Sequence, residues 1–256
     1  MELLKGYKMN IEVLLSTMSL HKDKEVDSLI KTMNINTKYL IINQNENKTE
    51  IKNKNVISIN EKGLSKSRNL AIKKSKADIV ILADDDVIYE NDYEETIKKA
   101  YKENPKADII CFYVESKNKK RKVKRIVGKN VGKLKIMRIS SFQITMKKDK
   151  IKEIKFDENF GSGAKYDRGE EAIFLKDCLE KGLKIIYINK KIAQVEQSKS
   201  TWFKGFTKEY FLAQGKVFKR LYPKHYKFIC YQFAIRKYFL YYKNVKLKEA
   251  IKLMIK

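Results

Sequence analysis

Three consecutive aspartates follow a run of apolar residues in the first half of the chain. Asp84, Asp85 and Asp86 come directly after Ile79–Ala83, whose uninterrupted apolar pattern predicts a strand buried on both faces. Ligands collect at the carboxyl ends of strands in open α/β sheets, where these acids would lie. Strand alternation puts Asp84 and Asp86 on one side, and such a pair favours a hard divalent cation. A plain surface turn is the alternative, because aspartate also favours turns.

A glycine and a basic helix lie just upstream, in the sequence KGLSKSRNLAI. The pattern predicts a helix over Leu64–Lys74 that begins after Gly63, with Ser65 or Ser67 as its N-cap. Gly63 lets the backbone pass close to a ligand, and a helix N-terminus favours phosphate. Arg68, one turn into the helix, would reach a base or a phosphate. An ordinary capped helix without a ligand is the alternative.

Two adjacent acids begin a predicted helix in the second half of the chain. Glu170 and Glu171 follow a loop with three glycines and open an amphipathic helix over Glu170–Lys181, with Gly182 at its C′ position. Like charges side by side raise the pKa of one of the two carboxyls, which suits a general base working near neutral pH. The alternative is that the helix dipole simply favours acids in the first turn.

The rest of the pattern predicts an α/β scaffold that would position these residues. Near-continuous apolar strands alternate with amphipathic helices, which is typical of a mostly parallel sheet covered on both faces. The other predicted elements are strands at Ile11–Thr17, Tyr39–Gln44, Val56–Ile59, Ile109–Val114, Phe142–Met146 and Lys184–Ile188, and helices at Asp23–Met33 and Asp92–Lys102. The charged run Lys117–Arg125 is predicted to be a solvated loop, and from Trp202 onward the chain is helical and aromatic.

Composition limits the chemistry and the partners. The 256 residues carry only three cysteines and two histidines, which argues against a zinc site and against Ser–His–Asp catalysis. No run approaches the roughly 18 apolar residues of a membrane span, and no signal peptide is recognisable at the N-terminus. The net charge, 57 minus 31 or +26, favours an anionic partner such as nucleic acid, phospholipid or a phosphate-rich substrate. Part of this excess reflects a general bias of the sequence toward lysine.

Taken together and in this order, these segments resemble the family 2 glycosyltransferases, which have the GT-A fold. The matching stretches are IEVLLST at 11–17, GLSKSRNLAI at 63–72, ILADDD at 81–86 and FDENFG…GEEAIFLKDCLEKGLKI at 156–185. The stretch STWFKG at 200–205 is similar to bacterial members that assemble capsular and other surface polysaccharides.

The resemblance implies a GT-A domain over residues 1–222 and a C-terminal helical extension over 223–256, packed on the domain or on a membrane surface. It also implies transfer of one sugar from a nucleoside diphosphate sugar to a glycan or lipid-linked glycan, with inversion. Asp86 would be the direct ligand of Mn²⁺ or Mg²⁺ and Asp84 its companion. Glu171 would be the base, with Glu170 as a substitute. The expected location is the cytoplasm, or the inner face of the cytoplasmic membrane.

The same resemblance assigns the donor site. Thr17 would line the nucleoside pocket, Gly63 and Arg68 would hold the base or the diphosphate, and Asp85 would face the ribose or donor sugar. Trp202 would stack on a sugar face and Lys204 would meet phosphate, unless Trp202 only anchors the tail.

Two departures from the family pattern concern the base and the metal. Asn43 and Gln44 stand where the family has an aspartate that reads the base; an amide can still hydrogen-bond a pyrimidine, so a UDP-sugar is weakly favoured. A late histidine near the metal is missing, and Glu196 is the candidate replacement.

Other functions are also compatible with parts of the sequence. A haloacid-dehalogenase phosphatase also has Asp-x-Asp after a strand, but it needs a later Gly-Asp pair that this chain lacks. A basic nucleic-acid-binding protein would interleave aromatics and lysines on one face, whereas the aromatic clusters here lie mostly after residue 202. A catalytically inactive GT-A-like module is the third alternative. Residues 228–242 and the lysines after them would lie on an anionic membrane surface, or form core and a solvated face.

Overall fold

A computed structural model gives the structure of the protein and describes residues 9–45, 51–117, 126, 129–196 and 205–256. Its centre is one mixed, mostly parallel sheet in the order β3-β2-β1-β4-β7-β6-β8-β5. The strands are β1 (Ile11–Thr17), β2 (Lys38–Gln44), β3 (Val56–Ile59), β4 (Ile79–Asp84), β5 (Val87–Tyr89), β6 (Ile109–Ser116), β7 (Ile144–Lys147) and β8 (Ile185–Val195). Only β7 and β5 run antiparallel to their neighbours. The predicted α/β fold is confirmed.

Helices cover both faces of this sheet, as the apolar strands require. In the part of the chain that the structure describes, the helices are α1 (Asp23–Thr32), α2 (Leu64–Lys74), α3 (Tyr93–Glu103), α4 (Lys148–Ile151), α5 (Glu170–Glu180), α6 (Lys208–Leu221), α7 (Tyr226–Tyr241) and α8 (Leu247–Ile255), of which α7 and α8 lie outside the two sheet cores. Residues of α2 and α5 share a core with Leu14 and Leu82 on one face. Residues of α1 and α3 share a second core with Leu15 and Ile81 on the other face. Successive residues of β1 and β4 thus supply both cores.

The C-terminal helices have a third core of their own. Phe211 and Phe218 of α6 pack with residues of α7 and α8, including Phe233 and Met254. Val217, on another side of α6, belongs instead to the core of the α/β sheet. The α6 helix therefore joins the helical unit to the sheet domain. Among the described residues, no helix is both long and apolar enough to cross a bilayer.

Three local predictions differ from the structure. The predicted strand Phe142–Met146 begins only at Ile144, because Ser141–Gln143 forms a short 3-10 turn. The predicted strand Lys184–Ile188 continues to Val195, because it passes a bulge and then pairs with both β6 and β5. The short strand β5 was not predicted. In contrast, α5 ends as expected: Gly182 has φ +82° and donates its N–H to Leu179, closing the helix.

Candidate active site

The carboxyl ends of three parallel strands meet at one edge of the sheet. Ser16 of β1 lies opposite Asp84 of β4, and Thr17 lies opposite Asn43 of β2. Parallel strands end on the same edge, so the polar residues that follow each apolar run are brought together. Asp84, Thr17 and Asn43 are neighbours there although they are far apart in sequence.

Arg68 lies at the centre of this edge. Its side chain is only 2% exposed, and its two terminal nitrogens donate to different acids: Nη2 to Asp84 at 3.0 Å and Nη1 to Glu170 at 3.1 Å. Burial opposes the charged guanidinium, but the carboxylates of Asp84 and Glu170 outweigh this and raise the pKa of Arg68. The buried cation thus joins the aspartate strand to the start of α5. Its Nε has no hydrogen-bond partner among the described residues.

The three aspartates diverge as strand alternation predicts. Asp84 and Asp86 both line a cavity of about 180 Å³, together with Arg68, Glu170 and Glu171. Asp85 is exposed on the other side, where it accepts a hydrogen bond of 2.8 Å from the Thr17 hydroxyl. The cavity therefore brings together the acids of two separate sequence segments.

The two adjacent glutamates have different surroundings. Glu170 is 7% exposed and is held by Arg68, whereas Glu171 is partly exposed toward the cavity. Burial of its carboxyl and the charge of Glu170 raise the pKa of Glu171 to about 8, although Arg68 acts in the opposite direction. Glu171 is therefore able to take up or release a proton near neutral pH.

The glycine loop before α5 packs against the start of α2. Leu64 donates its N–H to the Ser162 carbonyl at 2.9 Å, and a side chain at Gly163 would approach the backbone nitrogen of Gly63 to 3.2 Å. These contacts fix the loop that carries the glutamates onto the helix that carries Arg68. Gly63 is itself the residue before the helix, with φ +132°.

The predicted serine N-caps of α2 are wrong. The N-cap is Gly63, and neither serine side chain caps the helix. Ser65 instead donates to the Phe160 carbonyl at 2.6 Å, and Ser67 pairs with Ser16 at 2.7 Å. Both serines are buried, so their hydroxyls bind neighbouring segments of the fold rather than the first turn of their own helix.

The two amides at the end of β2 contact the chain around the site. Gln44 donates to the carbonyls of Glu61 and Gly63, at 2.7 and 3.0 Å, and so holds the segment that leads into α2. Asn43 is fully buried, and its side-chain nitrogen donates to the Leu20 carbonyl at 2.9 Å. The side-chain oxygen of Asn43, Oδ1, has no hydrogen-bond partner among the described residues.

The carboxylates of Asp84 and Asp86 are the candidate ligands for a divalent cation at the cavity. Both oxygens of Asp84 already accept protein donors, Arg68 on Oδ1 and the Ser141 hydroxyl at 3.1 Å on Oδ2. The described residues contain no cluster of three or more His, Cys, Asp or Glu side chains arranged for a metal. The Glu196 carboxylate pairs with Lys117 at 3.0 Å, although the Glu196 backbone nitrogen approaches the Asp86 carbonyl. Two carboxylates fit a Mg²⁺-type site in which water and substrate phosphates supply the other ligands.

Sequence patterns did not identify several residues that line the same cavity. Ser141, in the 3-10 turn before β7, binds Asp84, but no motif marks it. Arg168 pairs with Asp167 at 2.9 Å and stacks on the Tyr210 ring of α6 at 3.9 Å. Asp167 and Arg168 are adjacent, oppositely charged residues inside the glycine-rich loop, and this pattern could have marked them as site residues in the sequence. Trp202, Lys204 and most of the charged run Lys117–Arg125 lie outside the described residues.

Comparison with known proteins agrees with this geometry. The family profile described as Glycosyl transferase family 2 matches residues 41–162, which include Arg68 and all three aspartates. No curated protein matches the chain in sequence.

Solved structures of low sequence identity share the fold. Residues 1–349 of S. aureus TarS, solved in complex with UDP-GlcNAc, align with a TM-score of 0.62 and 17% identity over 94% of this chain and 77% of that one. The mannosyltransferase PcManGT from Pyrobaculum calidifontis, in complex with GDP-Man and Mn²⁺, aligns with a TM-score of 0.55 and 11% identity over 97% and 73%. This chain therefore resembles glycosyl transferase family 2 over residues 41–162, and it shares its GT-A fold with these solved structures over nearly its whole length.

Proposed function

We propose that this protein transfers one sugar from a nucleoside diphosphate sugar to a hydroxyl of a glycan or lipid-linked glycan, with inversion of the anomeric centre. The observation that carries the proposal is the single cavity shared by Asp84, Asp86 and the Glu170–Glu171 pair around a buried Arg68. The two aspartates would hold a divalent cation that meets the diphosphate, and the same cavity contains a glutamate that would meet the acceptor hydroxyl.

Glu171 is the proposed general base. Glu170 is tied to Arg68, so its carboxylate has a fixed partner, whereas Glu171 lines the cavity and has a pKa raised by burial and by Glu170. The Glu171 carboxylate takes the proton of the acceptor hydroxyl as the hydroxyl oxygen attacks the anomeric carbon. The bond from this carbon to the diphosphate oxygen breaks, and the nucleoside diphosphate leaves with the electron pair. A single displacement of this kind inverts the anomeric centre.

Asp86, with Asp84 as its companion, is the proposed holder of Mn²⁺ or Mg²⁺. Asp86 lines the cavity beside Asp84, and the resemblance to the family makes Asp86 the proposed direct ligand. When bound, the cation supplies neutralisation of the negative charge on the diphosphate. The TarS and PcManGT structures, with their bound nucleotide sugars, support a donor of this class.

The remaining donor and acceptor assignments follow from the family. Thr17, Asp85 and Gly63 are the proposed contacts of the nucleoside and ribose, and Asn43 and Gln44 would shape this end of the pocket from their buried positions. A UDP-sugar is the weakly favoured donor. Trp202 and Lys204 are the proposed sugar and phosphate contacts from outside the described residues. The proposed role is assembly of a bacterial surface polysaccharide, at the inner face of the cytoplasmic membrane when the acceptor is lipid-linked.

A thermal-shift experiment with nucleotides tests the donor site. We expect one of UDP, GDP, dTDP and CMP to raise the melting temperature of the wild type, and to do so only with Mn²⁺ or Mg²⁺. A ligand at about 100 times its dissociation constant adds about 2.7 kcal/mol of stability, which such a measurement detects. The variant Asp86→Asn should lose the response. Asp149→Asn, an exposed aspartate on α4 outside the cavity, should keep it.

Two outcomes would overturn the proposal. A wild type that responds to no nucleotide under any metal condition would leave an inactive GT-A-like module or a nucleic-acid-binding protein as the better explanation. A response that survives in Asp86→Asn would remove this residue from the metal site. Once a nucleotide is identified, transfer from its sugar derivatives is measured in the wild type and in Glu171→Gln.

A further inference from the structure

The α7 helix is apolar on two opposite sides. One side, with Cys230, Phe233, Ala234 and Tyr241, is buried against α6 and α8. The other side is exposed to solvent. An apolar helix side is normally covered by another surface, and no described residue from another element covers this second side of α7.

The exposed side is a continuous stripe, which we call the α7 stripe. Its residues follow the helical spacing of three and four and are Phe228, Tyr231, Ile235, Phe239 and, just after the helix, Tyr242. Phe228 is 73% exposed, Ile235 63% and Phe239 85%. Isolated exposed apolar residues are ordinary, but five on one line form a surface that favours burial.

Positive charge borders the α7 stripe on both sides. On a helical projection Lys227 lies beside one edge, and Arg236 and Lys243 lie beside the other. The chain contains no aspartate or glutamate between Glu209 and Glu249. The stripe is thus an apolar line of aromatic and aliphatic side chains with basic margins.

We infer that the α7 stripe docks on an anionic lipid bilayer surface. Aromatic and aliphatic side chains enter the boundary between headgroups and acyl chains, while lysine and arginine at the margins contact anionic headgroups. A second copy of the chain would bring the same positive margins together, which opposes self-association through this face. Nucleic acid would pair with the cations but would leave the two phenylalanines and Ile235 in water. The inference does not depend on the proposed sugar transfer.

Vesicle binding tests the inference. The wild type should cosediment with vesicles of mixed phosphatidylcholine and phosphatidylglycerol, and much less with phosphatidylcholine alone. Replacing Phe228, Ile235 and Phe239 together by serine should weaken this binding by about tenfold or more, because each side chain loses the gain from apolar burial. Leu134→Ser, at an 82% exposed leucine outside α7, is the matched control and should bind like the wild type.

A charge variant provides a second, independent test. Arg236→Gln with Lys243→Gln should also weaken binding to the anionic vesicles, by about fivefold or more for each charge removed. Lys99→Gln with Lys102→Gln, two exposed lysines of α3, removes the same charge elsewhere and should have a smaller effect. If circular dichroism shows that the triple serine variant does not fold, the result with the Arg236→Gln and Lys243→Gln variant decides the test.

Several results would overturn the inference. One is a wild type that does not bind anionic vesicles at low ionic strength, or that binds neutral vesicles equally well. Another is that both α7 variants bind as strongly as the wild type, or that the Leu134 and Lys99/Lys102 control variants lose as much binding as the α7 variants. A wild-type dimer in sedimentation velocity that the serine variant abolishes would assign the face to a second copy instead. The nucleotide response of the serine variant should equal that of the wild type, so this test and that of the donor site can fail separately.

Discussion

A single buried cation organises the acids at the residue scale. Without Arg68, the carboxylates of Asp84 and Glu170 would lose the buried counter-charge that they share. The guanidinium presents nitrogens in a fixed fork, so it binds one acid with each end and sets the distance between strand β4 and helix α5. A buried ion pair of this kind contributes little net stability, but it gives the Glu170 carboxylate a fixed partner.

Because the pKa of Glu171 is raised, we expect the difference in stability between Glu171→Gln and the wild type to depend on pH. The native state keeps a proton on Glu171 up to about pH 8, whereas the unfolded state releases it near the ordinary value of 4.5. The unfolded state therefore binds fewer protons in this window, and this carboxyl lowers stability as the pH rises from about 4.5 to about 8. Glu171→Gln should gain melting temperature relative to the wild type across that range.

Thermal unfolding of Glu171→Gln and of the wild type, in buffers of increasing pH, measures this difference in stability. Glu180→Gln, at the exposed end of the same helix, is the matched control. A hydrogen bond from Lys176 lowers the pKa of Glu180, so this variant should show no such gain. A constant difference between Glu171→Gln and the wild type at every pH would contradict the raised pKa.

At the scale of elements, the start of α5 is positioned by a glycine in close contact with α6. Gly169 has φ +83°, and a Cβ there would lie 2.6 Å from Cγ2 of Val217. The helix that carries Glu170 and Glu171 therefore begins at a point where no side chain fits. Arg168, the preceding residue, stacks on Tyr210 of the same α6 helix. The α6 helix thus packs against the loop that leads into α5.

Replacing Gly169 by alanine should displace the start of α5 relative to α6. The backbone cost of positive φ is about 1–2 kcal/mol, and the clash with Val217 should add about 1–3 kcal/mol of overpacking. Gly182→Ala is a matched control, because Gly182 has φ +82° but no atom within 4 Å of the added Cβ. Chemical denaturation should show a larger loss for Gly169→Ala, with part of it recovered when Val217 is also changed to alanine. Equal losses for the two glycine variants would show that the contact with Val217 has no energetic effect.

At the scale of the whole molecule, the C-terminal helices are one packed unit tied to the sheet through α6. The α6 and α8 helices approach so closely that a Cβ on Gly215 would lie 2.0 Å from the carbonyl oxygen of Met254. On the sheet side, Arg220 forms a bidentate pair with Asp177 of α5, at 2.7 and 3.1 Å. The α7 and α8 helices are therefore packed on α6, and the α7 stripe lies on the side of α7 that faces away from this contact.

Gly215→Ala should separate α8 from α6. The added methyl group meets backbone atoms, which cannot move aside as a flexible side chain can, so we expect a loss of stability of about 1–3 kcal/mol or more. Limited proteolysis should then cut the chain near α8 earlier than in the wild type. Lys216→Ala, one position along the same helix and only partly buried, should resist proteolysis like the wild type. Unchanged proteolysis of Gly215→Ala would contradict the close packing of α6 on α8.

The sequence by itself determined the elements and the candidate acids. Alternation and apolar runs mark β1 and β4 because a parallel strand is buried on both faces, and the three aspartates stand out because they follow such a run directly. The α2 helix, the end of α5 at Gly182 and the separation of Asp85 from its two neighbours all depend on local periodicity, which a sequence displays. The serine caps failed because the pattern cannot show that Phe160 and Ser16 compete for the two hydroxyls.

Only the tertiary structure decided how these elements meet. Arg68 and Glu170 are 102 positions apart, and Ser141 and Asp84 are 57 apart, so no local pattern relates them. Their contacts follow from the order of strands in the sheet and from the glycine loop packed on α2. The same holds for the two sides of α7. Its apolar residues lie on two opposite sides, and only the packing of α6 and α8 against one of them determines which remain exposed.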